Sequence, residues 1–434
     1  MRLIYFLLII LFTLSACDPE TSGRQFGEDA VAYKGATLID GTGADPVANS
    51  VLVIENGEII FTGRADDIEL PRHVETVDVR GYTIVPGIIN AHGHIGISDG
   101  IDMGPEFFTE EKVREQLKRS ARYGVTSVVS LGDGLLTGAE WMEWNDDPAL
   151  SHARYYMAGP VLDPDSVEDA VAQVQSHAEA RVSWIKIRVD DQLGTREKMS
   201  PEIYAAIAEE ATIQGLPVAA HIVDLEDAIE TVRAGVSLVA HSVRDTAVTR
   251  ELIDAMIQYD VPITPTLTRE ISTYIYRERP DFFDDPFFLA EFDYDVIEYY
   301  TQPEVQSRFA ESAAGQYFEE QLPVAIENMM TLHEAGVRVA LGTDSGPPAR
   351  FQGFFEHLEM EMMQDAGMSP MEVLTASTLH AAAAGGIDHI TGSLGDGKRA
   401  DFLILSADPA EDIRNLREIE SVYINGNRVD RYGW

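Results

Sequence analysis

Between residues 84 and 343 the sequence repeatedly alternates a short apolar run with a longer amphipathic stretch. This alternation is typical of strands and helices that follow one another in a parallel β/α succession. Eight apolar runs predict a (β/α)8 barrel, the TIM-barrel fold of the α/β class, in which catalytic side chains lie at the C-terminal ends of the strands. The predicted strands span residues 84–90, 125–130, 153–157, 184–189, 217–222, 237–241, 262–267 and 337–343.

Short β-branched runs separated by Gly, Asn and Asp flank this region on both sides. This texture predicts a small antiparallel sheet at each end of the chain. We expect the two half-sheets to close into one accessory β-sandwich domain. The predicted boundaries are 30–83 and 387–434 for the two parts of the sandwich and 84–386 for the barrel.

The N-terminus begins with an almost wholly apolar run over residues 3–14, which is too short to span a bilayer and favours a signal peptide. It ends in Leu-Ser-Ala-Cys, which resembles the lipobox of bacterial lipoproteins and predicts acylation of Cys17. Cys17 is also the only cysteine, so intramolecular disulfides and thiolate metal clusters are excluded. The sequence therefore predicts a signal peptide over 1–17, a flexible tether over 18–29, and a bacterial lipoprotein facing the periplasm or the cell exterior. An ordinary signal peptide with a cysteine in it is the alternative.

The chain carries 73 acidic and 32 basic residues, for a formal charge of −41. Such a charge repels nucleic acid and anionic lipid, so neither is an expected partner apart from the predicted lipid anchor. The expected partner is a small-molecule substrate, and a homo-oligomer is left open.

One connection is unusually long, because residues 268–335 separate the seventh and eighth predicted strands. Its first half is acidic and rich in aromatic residues. Since loops after barrel strands overhang the mouth, this insertion is either a lid or specificity wall, or a helical elaboration that packs its own aromatic side chains.

A histidine pair follows the first predicted strand, in the run PGIINAHGH. Alternate residues of an extended strand face the same side, so His92 and His94 both point into the barrel mouth and can share one metal ion. Gly93 is expected to keep the space between them open. Since such a pair also occurs by chance, the ends of the other strands decide whether a metal centre is present.

Lys186 stands inside the apolar fourth strand, in the run WIKI. A buried ammonium group without a partner is unfavourable. Lys186 is therefore either paired with an acid such as Asp344, or made neutral by burial and then carbamylated by CO2. We favour the carbamate, because its two oxygens and negative charge can bridge two divalent ions.

Two single histidines and an aspartate end three further strands. His221 ends the fifth strand and His241 the sixth, and neutral imidazole is a natural ligand for zinc-like ions. Asp344 follows the eighth strand, where a carboxylate can bind metal and act as a general base; an N-cap role is its alternative. His357 is a further candidate for the site, because it opens the helical segment that follows the eighth predicted strand. The candidate metal ligands are His92, His94, Lys186, His221, His241 and Asp344.

Taken together, the motifs PGIINAHGH, WIKI, GLPVAAH, SLVAH, LGTDS and GSLGDGKRADFLIL with VYINGNRV resemble the amidohydrolase superfamily over nearly all of residues 30–430. The resemblance lies in the branch similar to imidazolonepropionases and to metal-dependent dipeptidases with a carbamylated lysine. Asn90 is a departure, since many members carry an aspartate there. This departure concerns the orientation of the ligands more than metal binding itself.

The resemblance implies two divalent metal ions, with zinc as the expected element. The first two histidines would bind one ion and the later two the other, with carbamylated Lys186 as the bridge. Asp344 would complete the first site. It would also move a proton as general base and acid while a hydroxide bridging the ions cleaves a C–N bond.

Arg188 and Arg244 are the candidate substrate-binding residues, because either could clamp a carboxylate of a dipeptide or an N-acyl amino acid. Pairing with neighbouring acids is their alternative. Other functions stay open: a mononuclear deaminase or cyclic-amide hydrolase of the same superfamily, a lactone or ester hydrolase, and a tethered binding lipoprotein without catalysis.

Overall fold

A computed structural model describes residues 25–431. The predicted signal peptide, Cys17 and most of the predicted tether lie outside these residues. Within the described part of the chain, no helix combines the length and the apolar character needed to cross a membrane.

Strands are concentrated at the two chain ends and in the predicted barrel region. In chain order they are β1 (Val31–Lys34), β2 (Thr37–Leu38), β3 (Ser50–Glu55), β4 (Glu58–Arg64), β5 (Glu75–Asp78), β6 (Thr83–Pro86), β7 (Ile88–Gly93), β8 (Ser98–Asp99), β9 (Asp102–Met103), β10 (Val125–Ser130), β11 (Arg154–Met157), β12 (Ile185–Arg188), β13 (Val218–His221), β14 (Leu238–Ala240), β15 (Ile263–Thr264), β16 (Phe402–Leu405), β17 (Ile419–Ile424) and β18 (Asn427–Arg428).

Helices alternate with the strands from β7 onward. They are α1 (Glu110–Arg122), α2 (Val167–Glu179), α3 (Pro201–Gln214), α4 (Leu225–Ala234), α5 (Arg250–Tyr259), α6 (Leu267–Ile271), α7 (Pro286–Leu289), α8 (Tyr294–Tyr300), α9 (Pro303–Ala310), α10 (Ala313–Glu334), α11 (Phe354–Ala366), α12 (Pro370–Ser377) and α13 (Leu379–Ala384). Short 3-10 helices span Pro105–Phe107, Leu136–Asp146, Ile275–Arg277, Asp281–Asp284 and Ile413–Arg417.

The central region forms an α/β fold with two parallel sheets. Their strand orders are β11-β10-β7 and β12-β13-β14-β15. Single parallel bridges add three contacts, which join Leu162 to Ile187, Ile263 to Val339, and Gly93 to Ser345. Apolar side chains from these strands share one hydrophobic core with the surrounding helices.

Glycines in a left-handed conformation end the helices that precede two site-bearing strands. Gly215 (φ 73°) follows α3 and Gly235 (φ 101°) follows α4. Because glycine adopts this conformation without steric penalty, each helix stops within a few residues of the next strand. Both turns therefore set where β13 and β14 begin.

The structure corrects three of the predicted barrel strands. The first is divided at Gly87 into β6 and β7, and these belong to different sheets. The seventh stops at Thr264, since α6 begins at Leu267. Residues 337–343 form no regular strand and instead bond through single contacts, such as the 2.9 Å bond from Ala91 N to Leu341 O.

Two further sheets are built from the chain ends. One has the order β4-β3-β1-β5, and the other, β18-β17-β16-β6-β2, combines strands from both ends of the chain. They are not purely antiparallel as expected, because β1 pairs in parallel with β5 and β2 with β6. Tyr33 and Leu52 of the first sheet share a hydrophobic cluster with Ile84 and Phe402 of the second.

The insertion after α6 packs its own aromatic side chains. Tyr276, Phe283 and Phe288 are buried in one cluster together with Phe351 and Phe354 from the segment after Asp344. This agrees with the predicted helical elaboration. The insertion also supports the 346–353 loop, because Tyr276 Oη donates a 2.7 Å hydrogen bond to Ala349 O.

Candidate metal centre

His92, His94 and Asp344 meet at the end of β7, and we call them the first flank. Asp344 Oδ1 lies 2.5 Å from His94 Nε2 and 3.3 Å from His92 Nε2. One potential ligand atom from each of the three residues lies within 4.8 Å of the others. Two imidazoles and a carboxylate suit a zinc-like divalent ion, so the residues present fit the metal that the sequence predicts.

Buried Glu356, in the first turn of α11, holds the backbone of the first flank. Its Oε1 accepts hydrogen bonds from Asn90 Nδ2 at 2.5 Å and from Ser345 Oγ at 2.8 Å. Asn90 Oδ1 in turn accepts a 3.0 Å bond from His92 N. The residue that replaces the common aspartate therefore still ties the histidine strand to the segment that carries Asp344. A side chain at Gly93 would collide with Asn90, since an added Cβ would lie 2.8 Å from its Nδ2.

Asp133, which follows β10, orients His94 from the other side. His94 Nδ1 donates a 2.5 Å hydrogen bond to Asp133 Oδ1, and Ser130 Oγ donates a 2.6 Å bond to Asp133 Oδ2. Burial alone would lower the pKa of His94, but the charges of Asp133 and Asp344 outweigh it and raise this pKa to about 9. With Nδ1 engaged, Nε2 is the nitrogen that faces Asp344.

His221, at the end of β13, and His241, just after β14, form the second flank. Their ring centroids lie 4.2 Å apart, and the His241 ring lies 4.9 Å from that of His92. His221 Nε2 lies 3.4 Å from Asp190 Oδ1, and His241 Nδ1 shares a 2.7 Å hydrogen bond with Thr266 Oγ1. Each histidine of this flank therefore faces its own polar partner, His241 through a hydrogen bond and His221 at ion-pair distance.

Glu359, one turn after Glu356 in α11, supports the second flank. Its carboxylate accepts three hydrogen bonds of 2.7 Å, from Leu267 N, Thr268 N and Thr268 Oγ1. These bonds fix the start of α6 directly after Thr266, which orients His241. Burial nevertheless raises the pKa of Glu359 to about 7.

Three residues at the centre have a left-handed backbone although none is glycine. They are His241 (φ 74°), Thr266 (φ 53°) and Asp344 (φ 55°). This conformation is unfavourable for side chains with a Cβ, above all for β-branched Thr266. A strained backbone of this kind persists only where the surrounding structure stabilises it. The left-handed conformation also changes the direction of these side chains from the one that a regular strand would give.

Lys186 lies between the two flanks and is buried. Its Nζ donates a 3.2 Å hydrogen bond to His92 Nε2, and within residues 25–431 it has no carboxylate partner within ion-pair distance. The predicted pairing with Asp344 is therefore absent from the described contacts. Burial lowers the pKa of Lys186 to about 7, so a neutral amine is accessible near physiological pH.

A cavity of about 270 Å³ brings the six predicted ligands together. Its wall also includes Arg188, as predicted, and Arg269 and Arg350, which sequence reasoning did not select. Arg350 contacts Asp344 Oδ2. Arg244 lies behind the wall, where its Nη1 donates to Ser242 O at 2.6 Å.

For the other three histidines of the centre, burial has the largest effect on the pKa. It lowers the pKa of His92 to about 3, and it also lowers the pKa values of His221 and His241. Burial alone would raise the pKa of Asp344, but Arg350 and His94 hold it well below its usual range. His92, His221 and His241 therefore offer neutral imidazoles and Asp344 an ionised carboxylate, the forms that bind divalent metals. His94, whose pKa is raised, has to release a proton before it can bind an ion.

Residues 83–429 match the model of the amidohydrolase family, which covers most of the chain. The chain belongs to the amidohydrolase family. This confirms the resemblance predicted from the motifs and supports a hydrolase acting on C–N bonds, from a family whose members are typically metal-dependent.

Three known proteins resemble the chain along nearly its whole length. The ochratoxinase of Aspergillus niger is 24% identical over 449 aligned positions, which cover 90% of this chain and 84% of the relative. The solved structure of a putative prolidase from Bifidobacterium longum has a TM-score of 0.74 at 24% identity, covering 93% of this chain and 95% of that one. A Xaa-Pro dipeptidase with bound methionine in its active site gives 0.73 at 20% identity, covering 92% and 100%. The structural likenesses concern the fold.

Several residues of this amidohydrolase centre were missed in the sequence. Asp133 carried a usable signal, because an aspartate three residues after an apolar strand lies at the same edge as the histidines. Glu356 and Glu359 carried only a weak one, since a pair of glutamates at i and i+3 is common on exposed helices. His357, between them, bonds Tyr123 O at 2.8 Å and lies outside the cavity wall described for residues 25–431.

Proposed function

We propose that this amidohydrolase uses two divalent metal ions, predicted to be zinc, to hydrolyse the amide bond of a dipeptide or an N-acyl amino acid. The observation that carries the proposal is the convergence of six potential metal ligands, from five segments of the central region, in one cavity. Donors of this kind and number suit a pair of borderline divalent ions. We include in the proposal a closed (β/α)8 barrel and an accessory β-sandwich as the scaffold.

In this proposal the first flank holds one ion, the second flank holds the other, and carbamylated Lys186 lies between them. The support for the carbamate is that Lys186 is buried beside His92 without a carboxylate partner among the described residues. Divalent ions in such a centre supply Lewis acidity, which lowers the pKa of water and polarises a carbonyl oxygen. With these assignments, we propose that the chain is similar to the metal-dependent dipeptidases with a carbamylated lysine.

Asp344 is the proposed general base and acid. Arg350 contacts its Oδ2, while its Oδ1 faces the two histidines of the first flank. Because the backbone at Asp344 is left-handed, the carboxylate is held at the centre of the cavity. From there it can accept a proton from the attacking water and return it to the leaving amine.

The substrate class is inferred from the charge of the cavity wall. Arg188 lines the cavity and has no ion pair within residues 25–431, so it is free to meet a substrate anion. Arg244 is assigned an indirect role, since it lies behind the wall. The aliphatic residues Ile97, Leu131 and Val161 provide an apolar part of the wall for an uncharged side chain.

We propose further that the protein is exported and anchored through acylated Cys17, so that a small molecule outside the cytoplasm is its substrate. Labelling with a radioactive fatty acid in a bacterial host tests this directly. Label in wild type but not in Cys17→Ser is the expected outcome, and equal label in both rejects the anchor.

A library of dipeptides and N-acyl amino acids, assayed by amine release after reconstitution with zinc and bicarbonate, tests the activity. Hits that share one C-terminal residue would support the proposal. Inactivity throughout, extended to esters, lactones and aminopurines, would favour a binding lipoprotein; activity on those panels alone would favour the corresponding alternative hydrolase or deaminase.

Metal content of Lys186→Ala tests the binuclear assignment. Two ions per chain in the wild type should fall to one or none in the variant. One ion in both proteins would reject the second site and favour a mononuclear enzyme. Lys198→Ala, which removes a partly exposed lysine paired with Asp224, is the matched control.

A further inference from the structure

Arg269 of the cavity wall is held on two sides. It lies in α6, immediately after the left-handed turn at Thr266, and its side chain is 15% exposed. Its Nη1 donates a 2.9 Å hydrogen bond to Glu270 Oε2, and its guanidinium carbon lies 4.1 Å from the centre of the Phe318 ring. An ion pair on one side and a ring on the other fix the plane of the guanidinium.

The partner of Arg269 is shared with a second arginine. Glu270 is fully buried, and its Oε1 lies 3.3 Å from Arg244 Nε. Arg244 is also fully buried, and its Nη1 is held by Ile222 O at 3.1 Å and Ser242 O at 2.6 Å. These two carbonyls follow His221 and His241, so the arginine network is anchored to the strands that carry the second flank.

One carboxylate between two guanidinium groups leaves one positive charge uncompensated. Burying such a charge is unfavourable unless an anion satisfies it. The acids of the cavity wall are already engaged, because Asp133 bonds His94 and Asp344 contacts Arg350. In a chain with 73 acidic residues against 32 basic ones, this cavity keeps an arginine whose charge no wall carboxylate neutralises.

The energetics favour Arg269 over Arg188 as an anchor. A planar guanidinium can bind a carboxylate through two parallel hydrogen bonds, and less conformational entropy is lost when the group is already fixed. Arg188 has no comparable support, since no ion pair or ring contact holds its side chain in the described part of the chain.

We propose that Arg269, held in place by Glu270, Arg244 and Phe318, is the specificity-determining residue that binds the carboxylate of the substrate. This inference rests on the proposed function, which it deepens by making a free carboxylate a requirement. Arg244 and Glu270 are then positioning residues that act through Arg269.

The test uses the metal-reconstituted full chain and pairs of probes that differ only in charge. The probes are the N-acetyl derivatives of leucine, phenylalanine and proline, each as the free acid and as the carboxamide. Binding is measured by calorimetry and turnover by acetate release. The wild type should prefer the acids by about 30-fold or more, which is the scale of a lost bidentate charge-assisted pair.

In Arg269→Met the preference for the acid should fall below about threefold, with Arg269→Lys between the two because an ammonium keeps the charge but not the fork. Arg279→Met, in an exposed arginine paired with Asp284, is the matched control and should keep the wild-type ratio. Glu270→Gln should weaken the preference less than Arg269→Met. Thermal unfolding and metal content verify that each variant is folded.

The outcomes separate this inference from the proposed function. An Arg269-dependent preference in binding without acetate release supports the anchor and counts against the N-acyl amino acids as substrates, which leaves the dipeptides to the library assay. Acetate release with a preference that survives in Arg269→Met, or that disappears only in Arg188→Met, overturns the anchor and supports the function. If no probe binds and no acetate is released, the result counts against both the anchor and the proposed function.

Discussion

The two flanks of the metal centre stand on strand ends of the same fold, but they are organised differently. In the first flank the side chains face one another, with Asp344 Oδ1 2.5 Å from His94 Nε2. In the second flank each histidine faces its own partner, His221 towards Asp190 and His241 towards Thr266. The potential metal ligands of the first flank contact one another, whereas the two histidines of the second flank are each oriented by a separate residue.

Helix α11 supports both flanks, but it contacts them in different ways. Glu356 binds side chains and backbone around the first flank, so it joins two neighbouring strand ends. Glu359 binds the start of α6 and reaches the second flank only through Thr266. One helix therefore positions both sites, directly on one side and through a turn on the other. We therefore expect some substitutions to abolish catalysis and others to weaken the binding of a single metal ion.

The largest effect is expected for Asp344→Asn, which removes the one carboxylate that, within residues 25–431, faces both histidines of the first flank. We expect kcat to fall by about 1,000-fold, the scale of a lost general base. The measurement is steady-state turnover of the best substrate at saturating metal. Asp165→Asn, in the exposed loop after β11, is the control. A loss below tenfold would mean that another group moves the proton.

The titration of Glu359 should change the free energy of unfolding by about 3 kcal/mol. Its pKa is raised by burial from 4.5 to about 7 in the folded protein, so the folded state retains a proton that the unfolded state has lost. Stability therefore falls as the pH rises from about 4.5 to about 7, and then levels off.

Denaturant unfolding at a series of pH values measures this effect. The decrease in the free energy of unfolding with rising pH should be absent in Glu359→Gln. It should be unchanged in the control Glu209→Gln, which alters an exposed residue of α3. Parallel slopes in wild type and Glu359→Gln would contradict the prediction.

The aspartates that orient one histidine on each flank should control separate ions. Asp133→Asn is expected to weaken binding of the first ion and Asp190→Asn that of the second, each by about 10- to 100-fold. Competition with a chelator gives the two dissociation constants. Each single variant should shift one constant and the double variant both; two variants that shift the same constant would show that the flanks are not independent.

The smallest effect is expected for Thr266, whose hydroxyl contacts His241. Thr266→Ala removes a hydrogen bond worth about 1 kcal/mol, so the second ion should bind about fivefold more weakly. Thr266→Ser keeps the hydroxyl and should match the wild type in the same chelator titration. If serine is as weak as alanine, the methyl group and not the hydroxyl positions His241.

Much of the centre could be predicted because it depends on strand ends. A side chain that ends an apolar run in a parallel β/α succession lies at the mouth, and this placed His92, His94, Lys186, His221 and His241 in one cavity. The central α/β architecture followed from the same pattern, whereas the family was predicted from the resemblance of the motifs.

The rest depends on contacts between segments far apart in sequence. Arg269 enters the wall from the five-residue helix α6 and Arg350 from the loop after Asp344, and both segments are too short or too irregular for periodicity to carry a signal. The division of the first predicted strand at Gly87 was equally hidden, because β6 and β7 are both apolar and only their pairing partners distinguish them. The role of Glu356 was invisible, since it depends on a buried meeting with Asn90.

The pairing of β16 with β6 has a consequence for the order in which the protein can fold during synthesis. β16 lies between β6 and β17, yet it is made only after the whole central region has left the ribosome. Until then β6 has β2 alone as its partner in the sheet, although it is directly joined to the strand that carries His92. Contacts of such long sequence separation form late and slow folding. Completion of the C-terminal strands is therefore the event that seals the histidine strand in place, and a nascent chain that stops before Phe402 cannot reach this state.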